Sequence, residues 1–196
     1  MSTNAVREQV FEATASQMIE TGTRGLRTHK IARQAGVSEG TLFRHFRSLD
    51  QLLEELNDRC WGTVNRHIAQ VAFDGMANDA KTIILRDLNT IWEMRTDQRL
   101  RLAAAGAFLN WGVTTERLES DEETRFRNHF LRLCENVVNA SNSDLSATTL
   151  NLLLLSHIAI QWRYWCQVSP EQSVELCSAE AGIGVLAILA LAAPSN

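Results

Sequence analysis

The sequence predicts an all-α protein with an N-terminal domain of three short helices and a C-terminal helical bundle of about six helices. Apolar residues recur at three- and four-residue spacing along nearly the whole chain, which is typical of amphipathic helices. Only two prolines occur in 196 residues, Pro170 and Pro194. We find no two alternating apolar runs joined by turn residues, as a β-hairpin requires. With 45% hydrophobic and 21% charged residues, the composition is that of a soluble globular chain.

The order of the helices follows from where the periodic stretches stop. The apolar positions from Val6 to Ile19 outline a first helix, and Gly22 and Gly25 suit its end. Two short helices follow, and a long helix of about six turns is predicted to begin at Leu49. Later patterns predict helices over residues 84–92, 100–111, 126–138, 150–168 and 174–192, with connections near residues 74–79, 116–123, 139–149 and 169–170. We place the domain boundary so that residues 1–48 form one domain and residues 49–196 the other.

Several protein classes are disfavoured by simple features of the chain. The N-terminus is polar, so we expect no signal peptide. The longest apolar run, residues 181–193, is shorter than the roughly 18 residues that cross a bilayer. The four cysteines have neither metal-finger spacing nor a disulfide pattern. We therefore expect a cytoplasmic protein without a membrane partner, a metal or another cofactor.

A basic segment lies near the N-terminus although the formal net charge of the chain is −4. Between Gly22 and Arg47 six basic residues stand against one acid, Glu39, which gives this segment a net charge of +5. Because screening limits each charge to about 8–10 Å, a basic patch on an acidic body can attract phosphates. The six residues are Arg24, Arg27, Lys30, Arg33, Arg44 and Arg47.

Residues 28–46 have the pattern of a helix-turn-helix. Ala32 is the small residue at which a second helix can pack across the first. Gly36 falls just after that helix, where a positive φ is needed. Ser38 can cap the next helix by accepting one of its free N–H groups. Leu42 and Phe46, four residues apart, form the buried stripe of the second helix, which leaves its outward side chains free to enter a DNA groove.

With these residues in place, the sequence resembles the tetracycline-repressor (TetR) family over about residues 6–53. The motifs that carry the resemblance are Gly22, Ile31-Ala32, Ala35-Gly36-Val37-Ser38, Gly40-Thr41-Leu42-Phe43, His45-Phe46 and Leu52-Leu53. The resemblance implies a homodimer that places a recognition helix from each chain in the major groove of double-stranded DNA. It also implies regulation of transcription, most commonly repression, with a small-molecule effector bound in the C-terminal domain.

The resemblance also suggests which residues contact DNA. It places Gly40 and Thr41 at the base edges and Thr28 and His45 at phosphates. Phe43 stands where the family has tyrosine, so it lacks the hydroxyl group that would bind a phosphate. The predicted DNA-binding set is Arg27, Thr28, Lys30, Ser38, Glu39, Gly40, Thr41, Phe43, Arg44 and His45.

Two positions depart from the family pattern. Leu49 replaces a lysine at the start of the long helix, and Arg27 replaces the usual threonine or serine cap. We expect Thr28 to take over the cap, Arg27 to supply the missing phosphate contact, and Ser48 to cap the long helix.

The C-terminal domain is rich in aromatic residues that suit an apolar ligand pocket. The family places the helices of Trp92, Phe108, Trp111 and Trp162 around its inducer cavity, and Asn89, Asn110, His157 and Gln161 could orient a ligand. We therefore predict a small apolar or aromatic inducer. The predicted ligand-binding set is Trp92, Phe108, Trp111, His157, Gln161 and Trp162.

The last two predicted helices have the character of a dimer interface. Residues 150–160 are apolar on more than one face, which indicates burial on two sides. Ala181, Gly182, Gly184 and Ala187 are small and would permit close helix approach. An internal core helix is the alternative.

Three other functions remain open. A DNA-binding architectural or protein-partnered regulator would need no inducer, and its tryptophans could fill a solid core. An enzyme is disfavoured because the chain has no glycine-rich phosphate loop, metal-binding histidine pair or nucleophile elbow. A redox sensor would use Cys60, which follows the cationic Arg59.

Overall fold

The computed structural model describes residues 3–72, 79–109, 120–167 and 174–192. Within these ranges the chain forms nine α-helices, two short 3-10 turns and no strand, which confirms the predicted all-α fold. The helices are α1 (Thr3–Thr21), α2 (Thr28–Gln34), α3 (Glu39–His45), α4 (Leu49–Ala72), α5 (Ala80–Glu93), α6 (Gln98–Leu109), α7 (Asp121–Ser141), α8 (Ala147–Gln167) and α9 (Val174–Ala190).

Helices α1 to α3 form the predicted helix-turn-helix unit. Gly22 ends α1 with φ of 68° and Gly36 makes the turn after α2 with φ of 67°, a backbone region in which glycine carries no steric cost. Ile31, Leu42 and Phe46 are completely buried between the helices. This apolar contact sets the angle at which α3 crosses α2, and it directs the polar residues of α3 outward.

An aromatic cluster holds the centre of the C-terminal bundle. Trp61 of α4 lies with its ring centroid 5.1 Å from that of Phe108 of α6 and 4.6 Å from that of Phe126 of α7. Phe126 and Phe130 are 4.9 Å apart. All four side chains are almost fully buried, so this cluster fixes three helices to one another.

A buried carboxylate joins α5 to α7. Asp87 is 1% exposed and accepts hydrogen bonds from Arg86 Nε at 2.9 Å and Arg86 Nη2 at 2.7 Å. Its second oxygen lies 2.7 Å from Nε2 of His129 on α7. Since each carboxylate oxygen has a partner, the cost of removing this group from water is offset.

The two parts of the chain are closely joined. Only residues 46–48 separate α3 from α4, and the Ser48 hydroxyl accepts a hydrogen bond from the Gln51 N–H at 3.1 Å, which confirms the predicted cap of α4. Helix α1 also packs against α6 of the bundle. One hydrophobic core runs through both parts, and the boundary after residue 48 stays a prediction.

The structure corrects two predicted connections. Residues 121–123, expected in a loop, form the first turn of α7, where Ser120 caps the helix and three acidic side chains favour its positive end. The connection predicted over residues 139–149 is shorter. Helix α7 continues to Ser141, ends at Asn142 in the left-handed conformation, and α8 begins at Ala147.

Candidate nucleic-acid interface and ligand cavity

The predicted DNA-binding residues lie on α2 and α3 and on the residues that begin these helices. Thr28, Thr41 and His45 are half-buried, and the other seven residues of the set are exposed. Phe43 is an apolar ring with 44% of its surface exposed. The structure therefore leaves the outer face of α3 open to a groove, in agreement with the geometry that the sequence predicts.

The first turn of α3 is held by its cap. The Ser38 hydroxyl accepts a hydrogen bond from the Thr41 N–H at 3.1 Å, as predicted. The same hydroxyl lies 3.0 Å from the Thr41 hydroxyl. Thr41, which we expect at a base edge, thus has its side chain oriented before DNA binds.

The structure corrects the predicted cap of α2. Arg27 occupies the N-cap position and its side chain makes no capping bond. Thr28 is the first helical residue, and its hydroxyl donates to the Glu39 carboxylate at 2.6 Å instead of accepting from the backbone. The Arg27 guanidinium donates to the carbonyl oxygens of Arg24 and Leu26, at 3.2 and 2.8 Å.

An arginine that the sequence did not single out supports the end of α3. Arg7 of α1 donates from Nη1 to the His45 carbonyl oxygen at 3.0 Å and forms an ion pair with Glu55 of α4. Its guanidinium also lies 4.4 Å from the ring centroid of Phe46. These contacts join α1, α3 and α4 at a single point, so the recognition helix is held at both ends.

A cavity of about 220 Å³ lies between α5, α8 and α9. Three residues of the predicted ligand-binding set line it: Trp92, His157 and Gln161. Asn89, which we considered as a polar contact, also lines it. The other lining residues are Leu85, Leu88, Ile91, Ile158, Gly182, Val185 and Leu186, so no charged side chain is among the described residues of the wall.

Two residues of the predicted ligand-binding set, Phe108 and Trp162, do not line this cavity. Phe108 and Trp162 are completely buried and stack with an interplanar angle of 13° and a centroid distance of 6.1 Å. They belong instead to the aromatic core behind the cavity, where Trp162 meets Trp92 at 6.0 Å. Trp111 and Asn110 lie outside the described residues.

Large exposed apolar side chains occur on α8, on α9 and directly after α9, and we call this set the α8–α9 face. Ile160 is 64% exposed and Ile183 is 66% exposed. The large apolar side chains of this face are Leu152, Leu153, Ile160, Tyr164, Ile183, Leu186 and Leu191. Gly184 of α9 permits close contact with α8 of the same chain, because a Cβ atom there would clash with the His157 ring.

Cys60 is a poor candidate for a redox sensor. The thiol is 3% exposed, and burial raises its pKa to about 12 although Arg59 opposes the shift. With this pKa, Cys60 stays protonated at neutral pH. The thiolate is the reactive form of cysteine, so a protonated thiol reacts poorly with oxidants. Among the described residues, no group of three or more histidine, cysteine or acidic side chains is placed to hold a metal ion. In the same part of the chain, no helix is long and apolar enough to span a membrane.

These features define a helix-turn-helix protein with an attached helical bundle. Residues 10–56 match the family model described as bacterial regulatory proteins, tetR family. This match covers the helix-turn-helix and the start of α4, and over these residues it confirms the resemblance to the TetR family that the sequence predicted. The family consists of regulatory proteins and the matching relatives are named as transcriptional regulators, so the comparisons give no support to an enzyme.

The sequence relatives match only part of the chain. An uncharacterised HTH-type transcriptional regulator of Mycobacterium bovis is 29% identical over 107 residues, which cover 47% of this chain and 55% of the relative. A regulator with the same description from Mycobacterium tuberculosis matches to the same extent. The chain thus spans about half the length of these relatives.

Solved structures match the fold over nearly the whole chain. A TetR-family regulator from Rhodococcus aligns with a TM-score of 0.67 at 18% identity, covering 94% of this chain and 98% of that one. FadR from Bacillus subtilis, solved in complex with stearoyl-CoA, aligns with a TM-score of 0.66 at 15% identity, covering 94% and 98%. A ketosteroid transcriptional regulator of Mycobacterium tuberculosis aligns with a TM-score of 0.60 at 16% identity, covering 97% and 95%. At these identities the matches describe the fold.

Proposed function

We propose that this protein is a DNA-binding regulator of transcription that acts as a homodimer on a palindromic operator. The observation that carries the proposal is that the six basic residues between Gly22 and Arg47 are exposed and free of ion pairs within the described residues. Five arginines elsewhere in that part of the chain do have acidic partners: Arg7, Arg59, Arg86, Arg125 and Arg127.

Unpaired basic residues around an exposed helix suit phosphate binding. A protein cation that neutralises a phosphate releases a counterion, so such binding weakens steeply as salt rises. Lys30 and Arg44 are exposed on α2 and α3, and neither forms an ion pair within the described residues that would have to be broken first. We assign both to phosphates and the first turn of α3 to base edges.

Substitution of both cations tests this assignment. In the variant K30Q/R44Q, two phosphate contacts per protomer are lost, or four per dimer. The slope of log affinity against log salt should therefore become shallower by about 3 to 4. Fluorescence anisotropy with a labelled duplex between low and moderate salt measures the slope.

The matched control removes one lysine and one arginine from the bundle instead. Lys81 and Arg132 are exposed residues of α5 and α7. The variant K81Q/R132Q should keep the wild-type slope. Equal slopes in K30Q/R44Q and wild type would show that DNA does not contact this surface.

We further propose that a compact, uncharged ligand in the cavity between α5, α8 and α9 releases the protein from DNA, which makes it a repressor. The described wall is mostly apolar and places only three polar groups around the ligand, those of Asn89, His157 and Gln161. A volume of about 220 Å³ suits a small apolar or aromatic molecule. The FadR neighbour was solved with stearoyl-CoA, but the described wall of this cavity has no cation that would neutralise phosphates.

Filling the cavity separates ligand binding from DNA binding. Gly182 lines the cavity, and a Cβ atom there would meet no atom within 4 Å apart from its chain neighbours and its own helix backbone, so a leucine can occupy the space. We expect G182L to bind the neutral fluorescent probe N-phenylnaphthylamine at least about tenfold more weakly than wild type, because the added isobutyl group excludes the probe. DNA affinity should not change.

The variant G182A is the control, since it adds only the Cβ atom and leaves most of the cavity open. Equal probe binding by G182L, G182A and wild type would contradict the assignment of this cavity. That result would favour the alternative regulator, which has no small-molecule inducer.

A further inference from the structure

We propose that Glu39, oriented by Thr28, selects a cytosine in each half-site of the operator. The inference rests on the proposed function, because it assigns one base contact of the DNA-binding surface. Glu39 is the first residue of α3 and is exposed. It is also the one acidic residue between Gly22 and Arg47, where six basic residues surround it in the sequence.

The Thr28–Glu39 hydrogen bond orients the carboxylate. Its length of 2.6 Å, from the Thr28 hydroxyl to Oε1 of Glu39, is typical of an O–H group that donates to a charged oxygen. The bond links the first residue of α2 to the first residue of α3. No hydrogen bond to the second oxygen, Oε2, is found among the described residues, so this atom is free to meet a base.

The bond also changes the role that the sequence predicted for Thr28. A hydroxyl group has a single proton to donate, and Thr28 gives it to Glu39. A phosphate oxygen is only an acceptor, so the Thr28 hydroxyl cannot bind phosphate while it holds the carboxylate. Thr28 is therefore a positioning residue for Glu39.

The chemistry of the major groove then identifies the base. An ionised carboxylate only accepts hydrogen bonds, and phosphate oxygens repel it. The exposed donors in this groove are the N4 amino group of cytosine and the N6 amino group of adenine. Adenine carries the acceptor N7 beside its amino group, which opposes the second carboxylate oxygen, whereas cytosine has no acceptor of its own there.

A carboxylate on a DNA-binding face has two opposing effects. It weakens binding to every duplex, because it faces a polyanion. It strengthens binding only where a cytosine amino group is in reach. The variant E39Q should therefore bind random duplex more tightly than wild type and discriminate less, and its amide should favour adenine, to which glutamine can bond through N6 and N7.

The experiment measures base preference directly. Duplexes selected by the wild-type protein are varied to all four bases at each half-site position, and affinities are compared for wild type and variants. Wild type should prefer cytosine at one position by about tenfold or more. At that position E39Q should lose the preference or shift it to adenine. The variant E135Q removes the same charge from an exposed site on α7 and should keep the wild-type preference.

Two variants of Thr28 separate orientation from folding. T28V removes the hydroxyl group and should weaken the cytosine preference, while affinity for random duplex is kept. T28S retains a donor and should restore the preference. An E39Q profile identical to that of wild type, with a palindrome still selected, would overturn this inference alone. Failure of wild type to select any sequence would overturn the proposed function as well.

Discussion

Replacement of Ile160 with glutamate is expected to convert the dimer to a monomer and to abolish specific DNA binding. Ile160 belongs to the α8–α9 face and is 64% exposed. Two-fold symmetry would bring two glutamates into the interface, and burial of an unpaired charge is costly. In a dimer, binding of one half-site holds the second recognition helix close to the other half-site. A monomer lacks this effect, so operator affinity should fall by about 100-fold or more.

Analytical ultracentrifugation and anisotropy with the selected duplex measure the two effects. The control is V71E, in which glutamate replaces an apolar side chain that is 36% exposed near the end of α4, outside the α8–α9 face. It should remain dimeric and bind DNA as wild type does. A dimeric I160E protein with unchanged affinity would place the dimer interface elsewhere.

Replacement of Phe126 with alanine is expected to cause the largest loss of stability. The Phe126 ring is completely buried, and its centroid lies 4.6 Å from Trp61, 5.8 Å from Phe108 and 4.9 Å from Phe130. Removal of the ring leaves a cavity where three helices meet, and such Phe-to-Ala changes cost about 3–5 kcal/mol. The free energy of unfolding should fall by that amount in urea titrations.

The control for this prediction is F43A. Phe43 is exposed on α3, so loss of its ring should change the free energy of unfolding by less than about 0.5 kcal/mol. If F126A and F43A unfolded at the same urea concentration, the aromatic cluster would not hold the bundle together.

The arrangement of the helices suggests how ligand and DNA could compete. Helix α5 lines the cavity through Leu88 and Trp92 and also packs against α4. Helix α4 follows α3 after three residues, and its Glu55 pairs with Arg7, which holds the end of α3. We propose that a ligand that favours a shifted α5 moves α4 and thereby changes the spacing of the two recognition helices. The ligand must bind the shifted state more tightly, since equal affinity for both states would change nothing.

The N-terminal unit could be predicted from sequence because its signals are local. Gly36 is required by a positive φ at a turn, Ser38 caps the helix that follows it, and Leu42 and Phe46 repeat with the helical period. Each of these signals involves residues within a few positions of one another. The helix-turn-helix residues could therefore be placed before any tertiary contact was known.

Contacts between distant residues could not be predicted in the same way. Arg7 meets His45 and Glu55 across 38 and 48 positions, and no periodic pattern marks such a pair. The residue type of Thr28 suits a helix cap, but its hydroxyl bonds to Glu39, eleven positions away. Phe108 and Trp162 have the residue type of a ligand pocket, but only packing shows that they stack in the core.

The most direct test of the central claim is selection of bound fragments from a random duplex library by the wild-type protein at moderate salt. If the chain reads DNA as a two-fold dimer, one palindrome should be enriched, with half-site centres about one helical turn or slightly more apart. The spacing would give the distance between the two recognition helices. Enrichment of no sequence, with only weak and salt-sensitive binding, would contradict the account.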